Sequence, residues 1–182
     1  EGNKAKISSI IDTLSGHSFV SGMVLDVSVD YELTEDDDND IVAPLVKEMQ
    51  ENSTLYAINV KGTFDVGGNT SPIVSGLVGV LKSGRIFDCS TDLDIIYRAG
   101  KNTSNGVFGI VRIEDTENNK LIENTYASGS ITSYITTNVY AFANSQDYSY
   151  VRNCYAIGKL DLMDYTNASN EMDTNAIVDV FG

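Results

Sequence analysis

The sequence has few cationic residues, and this shortage excludes several classes of partner. Its 12 Lys and Arg residues compare with 26 Asp and Glu residues, so the formal net charge is -14. Binding to nucleic acid needs clustered Lys and Arg to neutralise phosphates, so we expect no nucleic-acid partner. An anionic membrane surface would also repel the chain. Cationic ligands, including calcium, are compatible with this composition.

Other scarcities narrow the chemistry further. The chain has no Trp, and its only histidine is His17. A Ser-His-Asp arrangement would have to use His17, which follows a glycine in a predicted turn with no nucleophile placed beside it. Cys89 and Cys154 make no disulfide framework and lack zinc-ligand spacing. Because no site pattern surrounds His17, we expect no catalysis. No apolar run approaches the roughly 18 residues that span a bilayer, and no signal-peptide pattern occurs, so we also expect no membrane insertion.

What the chain does have is an internal repeat of roughly 32 residues. A short apolar segment starts at Ile41, Leu77, Val107 and Val139, at intervals of 36, 30 and 32 residues, and a weaker copy covers 176–178. A ten-residue block follows each of the first four copies, and these blocks align without gaps over 55–64, 86–95, 122–131 and 151–160. The spacers between segment and block vary in length, as loops do.

Inside these blocks, apolar or small residues alternate with polar ones, which predicts half-buried strands. The aligned inward columns are Ile58, Cys89, Thr125, Cys154; Val60, Thr91, Ala127, Ala156; Gly62, Leu93, Gly129, Gly158; and Phe64, Ile95, Ile131, Leu160. One unit cannot cover its own apolar face, whereas copies stacked about 4.8 Å apart make a continuous core. We therefore predict an all-β fold, a parallel β-helix or β-solenoid of four to five coils. A β-sandwich with similar strands is the alternative.

The whole chain, 1–182, is interpreted as a single domain. Ile7, Ile10, Ile11 and Leu14 follow helical spacing, which predicts a short capping helix within 1–16. Residues 17–40 are expected to hold the first strands, over Phe19 to Tyr31, and an acidic loop. The repeats are assigned to 41–170, and 171–182 is a terminal partial repeat or cap.

Two motifs of the repeat carry a family resemblance. Gly76-Leu77-Val78-Gly79, together with strands such as 153–158 and 124–129, resembles the GLUG-motif repeat of bacterial and archaeal surface proteins. The resemblance covers about residues 76 to 162 and implies a β-helical shape. Relatives of this type include adhesin-like proteins and non-catalytic regions of immunoglobulin A peptidases. It implies a secreted or cell-surface location and no catalytic residues.

The acidic run over 35–40 is the strongest local charge feature. Its oxygen ligands at alternate positions, which suit calcium, are Glu35, Asp36, Asp38 and Asp40. The EF-hand pattern fails when counted from Asp36, because Ile41 occupies the sixth place. A solvated acidic loop is the alternative interpretation.

Three further expectations follow from the stacking. Tyr126 and Tyr155 share an outward column on adjacent coils, as a contact patch, a stabilising pair, or both. Lys61 is expected beside Asp92 as a cross-strand pair. Cys89 and Cys154 are expected two coils apart, roughly 9.6 Å, as free, buried thiols.

The C-terminal residues start a new repeat and then stop. Apolar residues of this end, Ile177, Val178, Val180 and Phe181, have no strand block after them. They either cap the last coil or pair with another molecule, in which case subunits stack head to tail into filaments.

The resulting expectation is a non-catalytic extracellular surface module, adhesin-like or structural, whose partners are a protein, a glycan or copies of itself. A self-assembling filament or sheath subunit is the second hypothesis. A polysaccharide-active enzyme is the third, because acids are abundant and β-helices host such enzymes.

Overall fold

The strands of this protein form where short runs of alternating apolar and polar residues are bounded by turn residues. The computed structural model describes residues 9–33, 41–99, 103–116, 119–134, 137–144, 149–162 and 178–181. No helix occurs in these ranges, and therefore none that is long and apolar enough to cross a membrane. The described part of the chain is all-β.

The chain winds through the same three sheets in each turn. The first, partial turn holds β1 (Ile11–Leu14), β2 (Phe19–Ser21) and β3 (Val24–Leu33). The second holds β4 (Ile41–Val42), β5 (Val46–Met49), β6 (Thr54–Tyr56) and β7 (Asn59–Gly68). The third holds β8 (Ile73–Ser75), β9 (Val78–Leu81), β10 (Gly84–Phe87) and β11 (Ser90–Ala99).

Two further turns and a last strand complete the winding. The fourth turn holds β12 (Thr103–Phe108), β13 (Val111–Ile113), β14 (Lys120–Glu123) and β15 (Tyr126–Ser133). The fifth holds β16 (Thr137–Ala143), β17 (Ser149–Arg152), β18 (Tyr155–Ala156) and β19 (Lys159–Leu162), and β20 (Val178–Phe181) follows. Within the described residues, the first turn lacks the sheet A strand that precedes the bend in the later turns, so the structure has about four complete turns.

Every pairing between turns is parallel, which confirms the predicted β-solenoid. Sheet A runs β1-β5-β9-β13-β16-β12-β8-β4, with β20 also paired to β16. Sheet B runs β17-β14-β10-β6-β2. Sheet C runs β18-β15-β11-β7-β3, with β19 also paired to β15. Sheet A contains two series of strands because each turn bends there, and the uninterrupted β16 joins both series.

The predicted register of the ten-residue blocks is confirmed in sheets B and C. Ile86 pairs with Leu55 on one side and Ile122 on the other. In sheet C the columns through Thr91 and Ile95 follow the predicted alignment. Most residues of these columns are buried, and each fully buried aliphatic side chain contributes about 1.5–3 kcal/mol. Strand β3 extends the same columns into the first turn, where Leu25 pairs with Val60.

The register predicted for the apolar segments of sheet A is wrong at three of the five copies. Val107 pairs with Val139 as predicted, but its other neighbour is Val74, not Leu77. Val42 pairs with Val74, and Val178 pairs with Val139. Leu77 instead lies at the bend of the sheet, where its N–H donates to the Ile110 carbonyl over 3.0 Å.

This bend explains one glycine of each motif copy, Gly76 and Gly109. A Cβ built on Gly76 would lie 2.1 Å from the carbonyl oxygen of Gly109, and one on Gly109 would lie 2.0 Å from that of Ala141. Because the backbones meet there, Gly76 and Gly109 share a column. Gly76 is the first glycine of its motif copy, whereas Gly109 is the last glycine of the copy that starts at Gly106. The buried bend residues share a column: Leu45, Leu77, Ile110 and Phe142.

The predicted N-terminal helix is wrong for Ile11–Leu14, which form β1. Ile11 pairs with Val46 in sheet A, and Leu14 is buried. Both a helix and a strand would place Leu14 in the core. The segment forms a strand because it pairs with the neighbouring strand β5. Residues 1–8, including Ile7, lie outside the described part. The strand expected over Phe19 to Tyr31 is confirmed as β2 and β3.

The corner between sheets B and C uses the left-handed backbone conformation in every turn. The corner residues with positive φ form one column: Gly22, Ala57, Asp88, Asn124 and Asn153. The N–H groups of the first four donate to the next turn, for example Asn124 N–H to the Arg152 carbonyl over 3.2 Å. Asn and Asp tolerate this conformation better than other side chains do, which explains three of the five choices.

Candidate contact surfaces

Sheet C presents a regular outer face built from the longest strands of the described residues. Strands β3, β7 and β11 each have ten residues, so the face is about 33 Å along the strands and about 19 Å across five of them. Because strands are paired on both sides within the stack, side chains of this face are held in fixed rows.

The Tyr126–Tyr155 pair lies on this face, as the sequence predicts. The two residues are register partners, and their rings stack with centroids 5.2 Å apart and planes 3° apart. Tyr155 is 48% exposed, whereas Tyr126 is half-buried. The pair therefore fits a cross-strand stabilising contact, and it also leaves aromatic surface open to solvent.

A row of hydroxyl groups continues from these tyrosines along β15. The Ser128 hydroxyl donates to Asp92 Oδ1 over 3.1 Å, and the Ser130 hydroxyl donates to Asp94 Oδ1 over 2.6 Å. These bonds hold outward carboxylates of β11 against the next turn. The face thus places carboxylates on β11 against hydroxyl groups on β15.

Lys61 lies beside Asp92 in the register, as predicted, but its ion pair is with Asp26. Lys61 Nζ is 3.2 Å from Asp26 Oδ2 in the preceding turn. Both neighbours of Lys61 in its column are carboxylates, and the rotamer reaches one of them. The predicted position is therefore right, and the predicted ion-pair partner is wrong.

The sequence prediction does not include the ion pairs of Arg98 with three carboxylates, which we call the Arg98 clamp. Its guanidinium lies 2.9 Å from Asp65 Oδ1, 3.2 Å from Glu32 Oε1 and 3.8 Å from Asp30 Oδ1. Glu32 reaches it across Gly67, where a Cβ would lie 2.3 Å from Glu32 Oε1. The hydrogen bond that the Arg98 Nε–H donates to Asp65 raises the pKa of Arg98 above its ordinary value. The sequence contains a signal for this contact. Asp65 directly follows the block 55–64 and Arg98 follows the block 86–95, so the stacking of these blocks brings the two side chains close together.

Sheet B carries an aromatic ladder that was also missed. Ring centroids of Phe19 and Tyr56 are 6.3 Å apart, and those of Tyr56 and Phe87 are 4.6 Å apart. In later turns this ladder gives way to the ion pair of Arg152 with Glu123, at 3.1 Å. Tyr56 and Phe87 hold equivalent positions of the aligned blocks, so comparing outward columns would have found them.

Both thiols are free, as predicted. They lie two turns apart, with Thr125 between them in the column; the Thr125 hydroxyl accepts the Cys89 N–H over 3.4 Å. Burial raises the pKa of Cys89 to about 11 and also raises the pKa of Cys154. Cys154 is half-buried, not buried as predicted, because it lies in the last turn.

The remaining candidate residues are placed as follows. Glu35, Asp36, Asp38 and Asp40, the candidate calcium ligands, lie outside the described residues, as does Ile177 of the candidate assembly set. The backbone of Val178, Val180 and Phe181 belongs to β20, which pairs with β16. His17 occupies an exposed turn at φ 60°. The described ranges hold no group of three or more His, Cys, Asp or Glu arranged for a metal ion.

Comparison of the chain with protein-family models, curated proteins and solved structures found no match.

Proposed function

We propose that this protein is a non-catalytic, adhesin-like display module that binds a partner through the outer face of sheet C. The observation that carries this proposal is the Tyr126–Tyr155 stack, held in register on an exposed face. The resemblance of the Gly76-Leu77-Val78-Gly79 motif to GLUG repeats supports an extracellular or cell-surface location for it.

The physical case concerns preorganisation. Tyr side chains offer a large contact area at a low cost in conformational entropy, and they are enriched at binding interfaces. Stacking restricts the two rings before any partner arrives, which lowers the entropy lost on binding. The neighbouring Ser128 and Ser130 hydroxyls supply polar contacts at the edge of the aromatic surface.

The test uses an array of glycans and extracellular proteins probed with the purified chain. The double variant Tyr126→Ala/Tyr155→Ala should lose binding to any partner that the unmodified chain captures. The control is Tyr134→Ala, since Tyr134 is an equally exposed tyrosine just beyond the other end of β15. Retention of all captured partners by the folded double variant would contradict the proposal.

A head-to-tail filament is a second candidate function, because exposed apolar side chains concentrate at the ends of the solenoid. Seven of the eight large hydrophobic residues exposed in the described ranges lie in the first or last turn: Ile10, Phe19, Val24, Tyr150, Val151, Tyr155 and Ile157. Phe19 and Tyr150 are the two ends of a single column of sheet B. Stacking of copies in register would continue that column with an aromatic contact.

Light scattering and electron microscopy over a concentration series test the filament. Association should grow with concentration in the unmodified chain and be lost in Phe19→Lys. Thr54→Lys, in the same column but in an inner turn, serves as the control. A monomer at every concentration would remove this candidate.

A further inference from the structure

A groove of about 370 Å³ lies on the outer side of sheet B and its adjoining corner. The described residues that line it are Asn52, Gly84, Arg85, Asn119, Lys120, Leu121, Tyr150 and Arg152. It is separate from the tyrosine stack on sheet C, and neither proposed function uses it as a ligand site.

The lining is cationic in a strongly acidic chain. Acids outnumber bases 26 to 12 in the sequence, yet three of these lining residues are cations and none is a carboxylate. Acids that act on these cations lie outside the lining: Glu123 pairs with Arg152 at 3.1 Å, and Glu114 and Asp115 act on Lys120 electrostatically.

Arg85 is the open charge of the groove. Its side chain is exposed, and it forms no ion pair with any residue in the described ranges. Arg152 lies two turns away from Arg85 and two residues further along sheet B, and its side chain is 62% exposed despite its ion pair with Glu123. Both guanidinium groups line the groove, and each offers a planar pair of donors that fits a carboxylate or sulfate.

Lys120 gives the groove a fixed cationic floor. The residue is buried, and its Nζ donates to the Thr116 carbonyl over 2.8 Å. Burial lowers the pKa of Lys120, although Asp115 and Glu114 oppose this effect. An anion in the groove would favour the charged ammonium and so offset part of its desolvation.

The groove also contains the apolar and amide surface that a saccharide needs. Arg85, Leu121 and Tyr150 belong to one column on three successive turns, so they are spaced by about 4.8 Å. Tyr150 is 64% exposed and presents a ring beside the cations. The carboxamides of Asn52 and Asn119 both donate and accept hydrogen bonds, as sugar hydroxyls require.

We propose that this groove binds an acidic saccharide, with its carboxylate or sulfate between Arg85 and Arg152 and a sugar ring against Tyr150. The inference goes beyond the proposed display function, since it concerns a different sheet and a different set of residues.

Titration calorimetry with a three-residue oligouronate tests it. The fully methyl-esterified form of the same oligosaccharide removes the charge and keeps the sugar rings, and a sulfated disaccharide supplies the second anionic arm. At least one anionic saccharide should bind, and the ester should bind at least about tenfold more weakly. Arg85→Ala and Tyr150→Ala should each weaken binding by a similar factor, while Arg112→Ala, which removes a cation from β13 of sheet A, should not.

Three results would overturn the proposal. They are no binding of either anionic saccharide, equal binding of the ester, and displacement by inorganic sulfate at the same concentration as by the saccharide. The Tyr126→Ala/Tyr155→Ala variant separates this site from the display function, because it should bind the anionic saccharide as the unmodified chain does.

Discussion

Gly62 lies so close to the preceding turn that a Cβ built on it would be 2.0 Å from the carbonyl oxygen of Val27. Its φ of 120° is also one that L-residues rarely adopt. Both features come from the stacking of β7 on β3, which brings the two backbones together near the middle of these strands.

Substitution Gly62→Ala should therefore destabilise the fold by about 2 kcal/mol or more, since it combines backbone strain with a backbone clash. Chemical denaturation followed by circular dichroism measures the loss. Gly22→Ala is the matched control: Gly22 has φ 67° with nothing within 4 Å of the added Cβ, and Ala57 holds the same corner position in the next turn. Equal losses for the two variants would contradict the close approach at Gly62.

The corner column makes a second prediction, at Asn124. Its φ is 49°, and its carboxamide donates to Asp88 Oδ1 over 3.1 Å and accepts from Asn153 over 3.2 Å. Asn124→Val should destabilise by about 1–3 kcal/mol, because a β-branched residue is strained in this conformation. Asn124→Gly should cost much less. Thermal unfolding of both variants checks the difference, and a reversed order would show that the side-chain bonds matter more than the backbone.

The Arg98 clamp predicts a salt-dependent loss of stability. Arg98→Met removes the cation shared by Asp30, Glu32 and Asp65 and leaves three carboxylates near one another. The loss should be about 1 kcal/mol or less, because these groups are partly exposed, and high salt should reduce it by screening. Denaturation in low and high salt measures this change, with Arg112→Met as control. A loss that does not respond to salt would indicate packing of the side chain as the cause.

The two thiols should react at different rates in the folded protein. Cys154 is half-buried and Cys89 is buried. A thiol reagent should therefore modify Cys154 in the folded protein, and it should modify Cys89 only after unfolding. Cys154→Ser and Cys89→Ser identify the two phases. Fast reaction of Cys89 in the native state would contradict its place in the core column.

The raised pKa of Cys89 predicts a loss of stability in alkali. With a pKa of about 11 when folded and 9.0 as the reference, the thiol keeps its proton in the folded state while the unfolded chain loses it. Stability should therefore fall by about 2 kcal/mol between these two pH values. Denaturation of the unmodified chain and Cys89→Ala across this window checks it, and the variant should lose less. Parallel pH curves would show that burial does not perturb this thiol.

Much of the fold could be predicted because the repeat itself carries the register. In the ten-residue blocks, alternation specifies which residues face inward, and a one-residue slip would turn Phe64 and Ile95 outward. The same logic placed Tyr126 beside Tyr155 and Cys89 two turns from Cys154. The apolar segments of sheet A alternate poorly, so their sequence pattern aligns Leu77 with Val107, although Leu77 lies at the bend and Val74 pairs with Val107.

The amino-acid order alone determined the parallel stacking, the columns of sheets B and C and the tyrosine pair, because these depend on equal spacing within gapless blocks. The tertiary structure decided the rest. Ile11–Leu14 form a strand because they pair with β5. Arg98 forms ion pairs with carboxylates of two preceding turns. Arg85, Lys120 and Tyr150 line one groove. These contacts join side chains from separate turns, and the spacers between the turns differ in length. A local sequence pattern therefore does not specify which of these side chains come into contact.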